Sequence, residues 1–375
     1  MKDFHRSPSI FFSLPLLGSC IIALLTFELP KGYGVGISIL MVVAVLAIVF
    51  DSILGIRLPA RRALQLVPFD RSPECYWVKV LAWSVLVACI LDLTLFPLPL
   101  LNPEIYANFD GGRSHVRHIS NMCWVLPIVG LLCYPDKRIR VLFIAIGLAF
   151  PVLVLDRNRL FASVYGLAVT MVFFSKRQIP WKTLIASLLG ALLLFAKLGQ
   201  FRSGRLDWVA LPFSDFYVAA SAGFKWILLY IGAGIYNFSS IMAKGYIDSD
   251  FLINQLVPQA GGVETLGSTI PFDEPVINVG TEYFPFLMAW GSVGAVGAAL
   301  FLYLSLVASV YFFRKRPNII SFLIFLRISY CCVMAGFAPQ AYTWTNLGFI
   351  ALCLLMQIFT YRVPLIALSK YDRKS

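Results

Sequence analysis

Residues 199–281 form the segment around which the rest of the chain is arranged. It begins GQFRSGRLDW (199–208), passes through KWILLYIGAGIYNFSSIM (225–242) and ends INVGT (277–281). It is the one long stretch that does not read plainly as a membrane span, and strong apolar segments flank it on both sides. Counted to Glu282, it contains eight of the nineteen acidic residues. These features predict a large loop between two membrane spans, over the outer face of the membrane.

The composition of the whole chain is that of a polytopic membrane protein. Hydrophobic residues make up 59% of the 375 residues and charged residues only 13%, with a mean hydropathy of +0.80. A soluble domain is nearer half apolar and a quarter charged. The net charge of +12 does not indicate a nucleic-acid partner, because Lys and Arg accumulate in the cytoplasmic loops of membrane proteins. The eight cysteines show no CxxC pair and no metal spacing, so we expect small buried hydrophobes.

The hydropathy pattern predicts an all-α protein of about ten transmembrane helices, forming a single integral membrane domain over residues 1–375. The predicted spans lie at about 10–29, 33–54, 76–96, 120–134, 141–155, 160–174, 180–198, 283–313, 318–337 and 345–360. The large loop, 199–282, then separates spans seven and eight. With the N-terminus inside, the short cytoplasmic loops hold most of the Lys and Arg. We therefore expect both termini in the cytoplasm and the large loop outside.

One part of the large loop tests this topology. Residues 218–241 are apolar enough to span, but a span there would turn the basic RKR loop and the basic tail outward, against the charge rule. We therefore predict an interfacial or re-entrant helix. Its rings Trp226, Tyr230 and Tyr236 suit the headgroup level, and backbone that dips into the membrane is tolerated beside protein or a wet cavity.

Four arginines on the predicted outer side are candidate anion ligands. Arg157 and Arg159 lie in the short turn between spans five and six, and Arg202 and Arg205 follow span seven. Guanidinium groups bind phosphate oxygens bidentately, and residues at i and i+3 share a helix face. Two structural alternatives stay open. The first pair can be a solvated turn with Asp156 as partner, and the second can flank the span end by snorkelling.

An enzyme that activates a hydroxyl group would also need a base, and the sequence offers three candidates. Glu282 is the first, because it lies where the large loop re-enters span eight, close to Asn278 and Thr281. His115 and His118 share the loop after span three. A carboxylate or histidine within hydrogen-bond reach can take a proton from a hydroxyl. The alternatives are an interfacial carboxylate and ordinary loop polarity. No HExxH or DxD pattern predicts a metal.

Arg327 lies ten residues into span nine, about 15 Å along a helix and so near mid-membrane. A charged residue at that depth is a functional hypothesis by default. Asp51 and Asp92, from other spans, are possible partners. A structural ion pair and a ligand-binding role remain equally open.

Three motifs together resemble the O-antigen polymerase (Wzy) family of oligosaccharide repeat-unit polymerases. LDRNRLFASVYGLAV (155–169) is similar to the family's arginine-bearing turn, with Arg159 the matching arginine. YIGAGIYNF (230–238) resembles the aromatic and glycine segment of its large periplasmic loop. NVGTEYFPFLMAWGSVGAVG (278–297) resembles the re-entry into the next span, although Ala289 stands where the family often has an acidic residue. The likeness covers most of the chain in layout and about 60 residues in pattern.

The resemblance implies a metal-independent glycosyltransferase of GT-C-like fold in the bacterial inner membrane, with its active site on the periplasmic side and no cofactor. It would move a growing glycan from undecaprenyl diphosphate to the non-reducing end of a new undecaprenyl-diphosphate-linked repeat unit, in lipopolysaccharide synthesis. Arg157, Arg159, Arg202 and Arg205 would hold the donor diphosphate, and Glu282, His115 or His118 would activate the acceptor. The glycan path or lid would include Trp226, Tyr230, Tyr236, Asn237, Asn278, Thr281 and Tyr283. Membrane lipids, a chain-length regulator and a flippase are the further partners implied.

Two other functions compete with this hypothesis. An O-antigen ligase uses the same donor with a lipid A–core acceptor, and the lack of histidine across 199–282 argues modestly against it. A polysaccharide flippase or transporter would favour symmetric halves, discontinuous helices and more buried charge. The lopsided large loop, the single mid-membrane arginine and the absence of a repeat in the sequence argue against that class.

Overall fold

The structure is a computed structural model, and it describes residues 6–60, 69–101, 113–174, 209–257 and 270–371, with a few isolated residues between these ranges. Within those residues it is helical, and one isolated antiparallel bridge joins Phe27 to Phe213. The chain is an α-helical membrane protein, as its composition predicts. Predicted span seven and the arginines Arg202 and Arg205 lie outside the described residues.

Thirteen α-helices are described. They are α1 (Ser9–Thr26), α2 (Gly34–Leu54), α3 (Pro73–Leu95), α4 (Arg113–Ser120), α5 (Val125–Cys133), α6 (Lys137–Leu153), α7 (Arg157–Phe174), α8 (Asp215–Ala219), α9 (Ala222–Lys244), α10 (Ser249–Leu256), α11 (Phe284–Lys315), α12 (Ile319–Met334) and α13 (Trp344–Tyr371). A 3-10 turn, Asn121–Trp124, links α4 to α5.

Six apolar helical stretches among the described residues are long enough to cross a membrane. They are Ser9–Thr26, Gly34–Leu54, Pro73–Leu95, Val116–Cys133, Ala222–Lys244 and Phe284–Lys315. Ile319–Met334 and Trp344–Thr360 are shorter apolar helices. Helices occupy every described range where a span was expected, while the total of about ten spans stays a prediction. Ala222–Lys244 belongs to the six by length and composition, although the charge rule argued against a span there.

The described residues divide into two compact units. The first contains α1, α2, α8 to α10, α11 as far as Arg314, the end of α12 from Arg327, and the first turn of α13. The second contains α3 to α7, α12 as far as Leu326, and α13 from Phe349.

Helix α9 packs against both α1 and α2 in the first unit. The crossing with α2 is so close that a Cβ atom on Gly36 would stand 2.8 Å from Ser239 Oγ and 2.9 Å from Ser239 Cα. Aromatic rings fill the neighbouring contact, since Phe27 and Tyr236 have centroids 4.5 Å apart. Residues 232–241 of α9 are all buried. The glycine in α2 therefore permits the helix contact on which this unit is built.

The chain reaches and leaves α8–α9 beside the same connection, between α1 and α2. Before α8, the Ser214 amide donates to the Thr26 carbonyl at 3.0 Å, and the Glu28 amide donates to the Pro212 carbonyl at 2.8 Å. Near the end of α9, Ser240 is 3.1 Å from the Tyr33 hydroxyl. Residues 212–214 and 239–240 thus lie at one end of the α1–α2 hairpin.

Helix α11 is broken near its start. Trp290 (φ −136°, ψ 19°) and Gly291 (φ 65°, ψ −158°) have non-helical backbone, so residues 284–289 and 292–315 form two helical pieces. Only glycine readily adopts a positive φ. A Cβ on Gly294 would stand 2.5 Å from the Phe286 carbonyl oxygen. The Gly-x-x-Gly pattern therefore encodes a helix break, where the hydropathy pattern predicted one long, tilted span.

In the second unit, an aromatic cluster around the buried Phe143 joins α3, α5 and α6. The Phe143 ring packs edge-on against both Trp83 and Tyr134, with centroids 5.2 Å apart in each case. The Asn318 amide donates to Gln357 at 2.9 Å and to Glu74 at 3.4 Å, so hydrogen bonds link these three buried polar side chains. All eight cysteines are free and buried, as expected for small hydrophobes.

Candidate active site

The first unit brings together two of the motifs that were distant in the sequence, YIGAGIYNF and NVGTEYF. The Asn237 amide on α9 donates to the carbonyls of Ile277 at 2.7 Å and Val279 at 2.8 Å. Asn237 is 1% exposed, and its two bonds hold the backbone that leads to Thr281. The aromatic and glycine motif thus anchors the segment that returns to α11.

A second anchor on the return segment is Asp273. Its Oδ2 accepts hydrogen bonds from Tyr236 at 2.8 Å, Tyr33 at 2.9 Å and Ser240 at 3.2 Å. Its Oδ1 pairs with Lys244 Nζ at 2.6 Å. Burial raises the pKa of the Asp273 carboxyl, but the bonds from Lys244, Tyr236 and Tyr33 outweigh it and hold that pKa below its usual value. Asp273 is therefore ionised at neutral pH.

Glu282 is fully buried, and both of its carboxylate oxygens are occupied. Oε2 accepts from the backbone N–H groups of Gln340 and of Ala341, the latter at 2.8 Å, and Oε1 accepts from the Tyr342 N–H at 2.9 Å. The Glu282 amide in turn donates to the Ala335 carbonyl at 2.8 Å. The carboxylate thus closes the turn between α12 and α13.

The charge state of Glu282 reflects two opposing effects. Burial raises the pKa of this carboxyl above its usual value, and the three backbone donors and the nearby charge of Arg327 only partly offset that rise. A carboxylate that already accepts three N–H bonds has little capacity left to take a substrate proton. The geometry favours a structural anchor, and the role of catalytic base stays a prediction. On either side of it, the buried hydroxyls of Thr281 and Tyr283 have no hydrogen-bond partner among the described residues.

Arg327 belongs to the same cluster through Asn346. Its Nε donates to Asn346 Oδ1 at 2.7 Å, and Asn346 Nδ2 donates to the Ala341 carbonyl at 2.7 Å. Arg327 is half-buried, and its guanidinium carbon lies 5.7 Å from the centroid of the Tyr330 ring. The turn that Glu282 closes therefore also holds the amide that orients Arg327.

The two carboxylates suggested as partners of Arg327 have other contacts. Asp51 Oδ2 accepts from the Ser7 hydroxyl at 2.7 Å and from the Ser9 amide at 2.5 Å, and its Oδ1 accepts from Tyr303. It stabilises the start of α1. Asp92, in the second unit, accepts from Ser120 at 2.9 Å.

The second unit holds the predicted arginine turn. Arg159 is 5% exposed, and its Nε pairs with Asp156 Oδ2 at 2.8 Å. Its Nη1 donates to Ser120 Oγ at 3.3 Å, so a buried polar chain runs from Asp156 through Arg159 and Ser120 to Asp92. Asp156 is thus the partner that the structural alternative named, although Arg159 is buried and does not lie in a solvated turn. Arg157 is half-buried at the start of α7.

The backbone of this turn is strained at Leu155. Its φ of 53° lies in the left-handed region, which costs a leucine about 1 kcal/mol. The Asp156 amide donates to the Pro151 carbonyl at 2.9 Å, which is the hydrogen bond of a Schellman motif at the end of α6. Glycine is the usual residue at the left-handed position of this motif, which Leu155 occupies here. The Leu155 side chain is buried, and its burial offsets the strain.

The remaining predicted site residues are dispersed. His118 is exposed on α4; the side chain of His115 lies outside the described part of the structure. Trp226 is buried on α9, and Tyr230 packs its ring 5.6 Å from that of Phe337. Asn278 is exposed on the return segment. No group of three or more His, Cys, Asp or Glu side chains that could hold a metal occurs among the described residues.

Sequence reasoning missed Asp273 and Asn346. Asp273 was one of eight acids in the large loop, and nothing local distinguished it from the others. Asn346 lies in the first turn of the predicted span 345–360, and a single amide there matches no sequence motif. Both are defined by partners that lie distant in sequence, such as Tyr33 for Asp273 and Arg327 for Asn346.

Comparison with family models, with characterised proteins and with solved structures gives no match to this chain. The functional argument therefore rests on its own residues and their contacts.

Proposed function

We propose that this protein is an oligosaccharide repeat-unit polymerase, a membrane glycosyltransferase that lengthens a lipid-linked glycan. The observation that supports it most is the convergence in the first unit. Tyr236 and Asn237 of one motif bind the segment that carries Thr281 and Glu282 of the other. Glu282 in turn holds the turn whose Asn346 orients Arg327. Residues selected on separate grounds thus form one connected polar cluster.

The proposed reaction transfers a glycan between two undecaprenyl-diphosphate carriers. An acceptor hydroxyl oxygen attacks the donor anomeric carbon, and the bond from that carbon to the diphosphate oxygen breaks. The acceptor proton passes to a base, and undecaprenyl diphosphate leaves. Fixed cations stabilise the charge that develops on the leaving diphosphate. Arg327 is a candidate for that role, besides Arg157, Arg159, Arg202 and Arg205, because Asn346 fixes its orientation within a mostly buried helix.

The proton acceptor is the least supported part of the mechanism. The carboxylate of Glu282 already accepts three backbone N–H bonds, whereas the His118 side chain is exposed. An imidazole within hydrogen-bond reach of a hydroxyl can take its proton. We retain His118, His115 and Glu282 as candidates, with His118 now the first.

The proposed setting is the bacterial inner membrane, with a GT-C-like arrangement of about ten spans. Residues 209–244 would form a re-entrant hairpin in it, because the segment arrives and departs beside the α1–α2 connection. The exposed apolar side chains Phe216, Val218 and Phe224 near its tip would face lipid. The active site would open to the periplasm, where a flippase delivers donor and acceptor and a chain-length regulator acts.

A gene deletion in the host tests the function through the length of its surface glycan. A polymerase predicts lipopolysaccharide capped with a single repeat unit, and plasmid-borne wild type restores long chains. Loss of every repeat unit would indicate a ligase instead, and an unchanged ladder would reject both enzymes.

Complementation of that deletion tests the residues. Arg159→Ala and Arg327→Ala should leave single repeat units while the protein remains at wild-type level in the membrane. Arg138→Ala is the matched control, since Arg138 is exposed at the start of α6, and it should restore long chains. Full chain length with either test variant would remove that arginine from the proposed site.

A further inference from the structure

A long apolar groove lies on the outside of the second unit, against α3. Its volume is about 830 Å³, and its walls come from α3, α4 and the residue after α5. The lining of α3 runs from Tyr76 to Leu91, which is about 22 Å at 1.5 Å per residue. That is longer than half of a hydrocarbon core of about 30 Å. The groove can therefore hold an acyl chain from one leaflet along its whole length.

The walls of the groove identify its surroundings as lipid. Trp83, Val87 and Leu91 project from α3 and are 42%, 52% and 40% exposed. They lie in Pro73–Leu95, one of the helices apolar enough to cross a membrane. Ile119 on α4 forms part of the opposite wall.

One end of the groove carries positive charge. Lys79 lines it and holds its Nζ 5.0 Å from the centroid of the Tyr134 ring. Arg140 reaches the same residue, because its Nη2 donates to the Tyr134 carbonyl at 3.0 Å. Tyr76 and Tyr134 supply amphipathic rings at that end, as is usual at the headgroup level. Lys79 thus lies beside the aromatic mouth of a groove whose other lining is almost wholly apolar, and Arg140 adds a second positive charge behind Tyr134.

We propose that this groove binds one anionic phospholipid, with an acyl chain along α3 and the phosphate beside Lys79. The apolar walls account for the chain, and Lys79, which lines the groove, accounts for the negative headgroup. A cation beside the anionic headgroup region contributes on the order of 1 kcal/mol. The site is independent of the proposed enzymatic function and requires only that α3 face the bilayer.

Native mass spectrometry of the full-length protein tests the site. The protein is purified in detergent, delipidated, and titrated with phosphatidylglycerol or with phosphatidylcholine of the same chains. We expect one tightly retained phosphatidylglycerol and weaker binding of phosphatidylcholine. Equal retention of the two lipids would overturn the proposal.

Variants of the lysine separate the headgroup contact from general packing. Lys79→Ala should weaken phosphatidylglycerol binding about fivefold, which is the effect of removing one such contact. Phosphatidylcholine binding should weaken less, because the choline cation offsets the attraction of its phosphate for Lys79. Lys79→Arg should retain phosphatidylglycerol binding, and this keeps the test valid if the alanine variant folds poorly. Lys137→Ala, at an exposed lysine on α6, is the control and should bind as wild type does. If Lys79→Ala retained phosphatidylglycerol as well as wild type does, Lys79 would not bind the lipid phosphate.

Discussion

Glu282 illustrates, at the scale of single residues, how a residue selected for chemistry can hold a structure together. Its carboxylate receives three N–H bonds from residues 340–342. Replacing it by Gln leaves one acceptor oxygen and turns an NH₂ group toward those donors. An unpaired buried donor costs about 1–3 kcal/mol. We therefore expect Glu282→Gln to lower the thermal unfolding midpoint in detergent.

The control for this prediction is Asp250→Asn, since Asp250 is an exposed acid on α10, and its midpoint should equal that of wild type. The same experiment separates the two roles of Glu282. A Gln variant with an unchanged midpoint but without glycan polymerisation would make Glu282 the catalytic base after all.

Asp273 predicts a dependence of stability on acid. Its folded pKa is held below the usual value of 3.8, so the unfolded carboxyl binds a proton at a higher pH than the folded one does. The stabilisation is therefore complete above pH 3.8 and is lost as the pH falls through the folded pKa. Asp273→Asn should lower the midpoint at neutral pH and show a smaller further drop on acidification. Identical acid profiles for wild type and variant would contradict this.

The sequence singled out some residues of this cluster but none of the contacts between them. Tyr236, Asn237 and Glu282 stood in motifs whose residue types were informative. Asp273 and Asn346 became visible only through contacts that cross 240 and 19 positions of the chain, respectively. No local pattern encodes such contacts, because they depend on how the helices pack.

At the scale of the helices, the contact between α2 and α9 depends on the absence of one side chain. A Cβ on Gly36 would meet the Ser239 backbone at 2.9 Å, whereas a Cβ on Gly34 would meet nothing within 4 Å. Overpacking of this kind costs about 1–3 kcal/mol. Gly36→Ala should therefore lower the unfolding midpoint, while Gly34→Ala should leave it unchanged or raise it. Equal midpoints for the two variants would argue against a tight crossing.

Helix positions were more predictable than helix shape. Each described range where hydropathy placed a span is helical, because length and apolarity are properties of the local sequence. The short helices α4, α8 and α10 were not predicted. The break in α11 was missed, since Trp290 and Gly291 are as apolar as their neighbours. Its signal was the spacing of Gly291 and Gly294, which had been read only as part of a resemblance.

At the scale of the whole molecule, the path of residues 209–244 decides the topology of everything that follows. A re-entrant hairpin predicts that Ala210→Cys and Ser249→Cys react with a membrane-impermeant maleimide from the same side in spheroplasts. A span predicts that only one of them reacts. Both positions are exposed; Ala210 lies at the start of the hairpin, and Ser249 follows its end. The eight native cysteines are buried, so background labelling should be low.

The control for this experiment is Arg138→Cys, in the predicted cytoplasmic turn, which should react only after permeabilisation. The distribution of Lys and Arg and the packing contacts are two independent arguments for a re-entrant hairpin. Labelling of the two cysteines from opposite sides of the membrane would contradict both arguments.

The break in α11 also sets the length of helix that is available to cross the membrane. The piece that follows it, residues 292–315, has 24 residues and so measures about 36 Å. Trp290, which is 65% exposed, lies just before this piece and is the ring type that prefers the boundary between headgroups and hydrocarbon. The basic run Arg314, Lys315 and Arg316 lies at its other end. A hydrocarbon layer of about 30 Å fits between these two markers if the axis inclines by roughly 30°. The length of this helical piece and the residues at its two ends therefore predict that it is tilted in the bilayer.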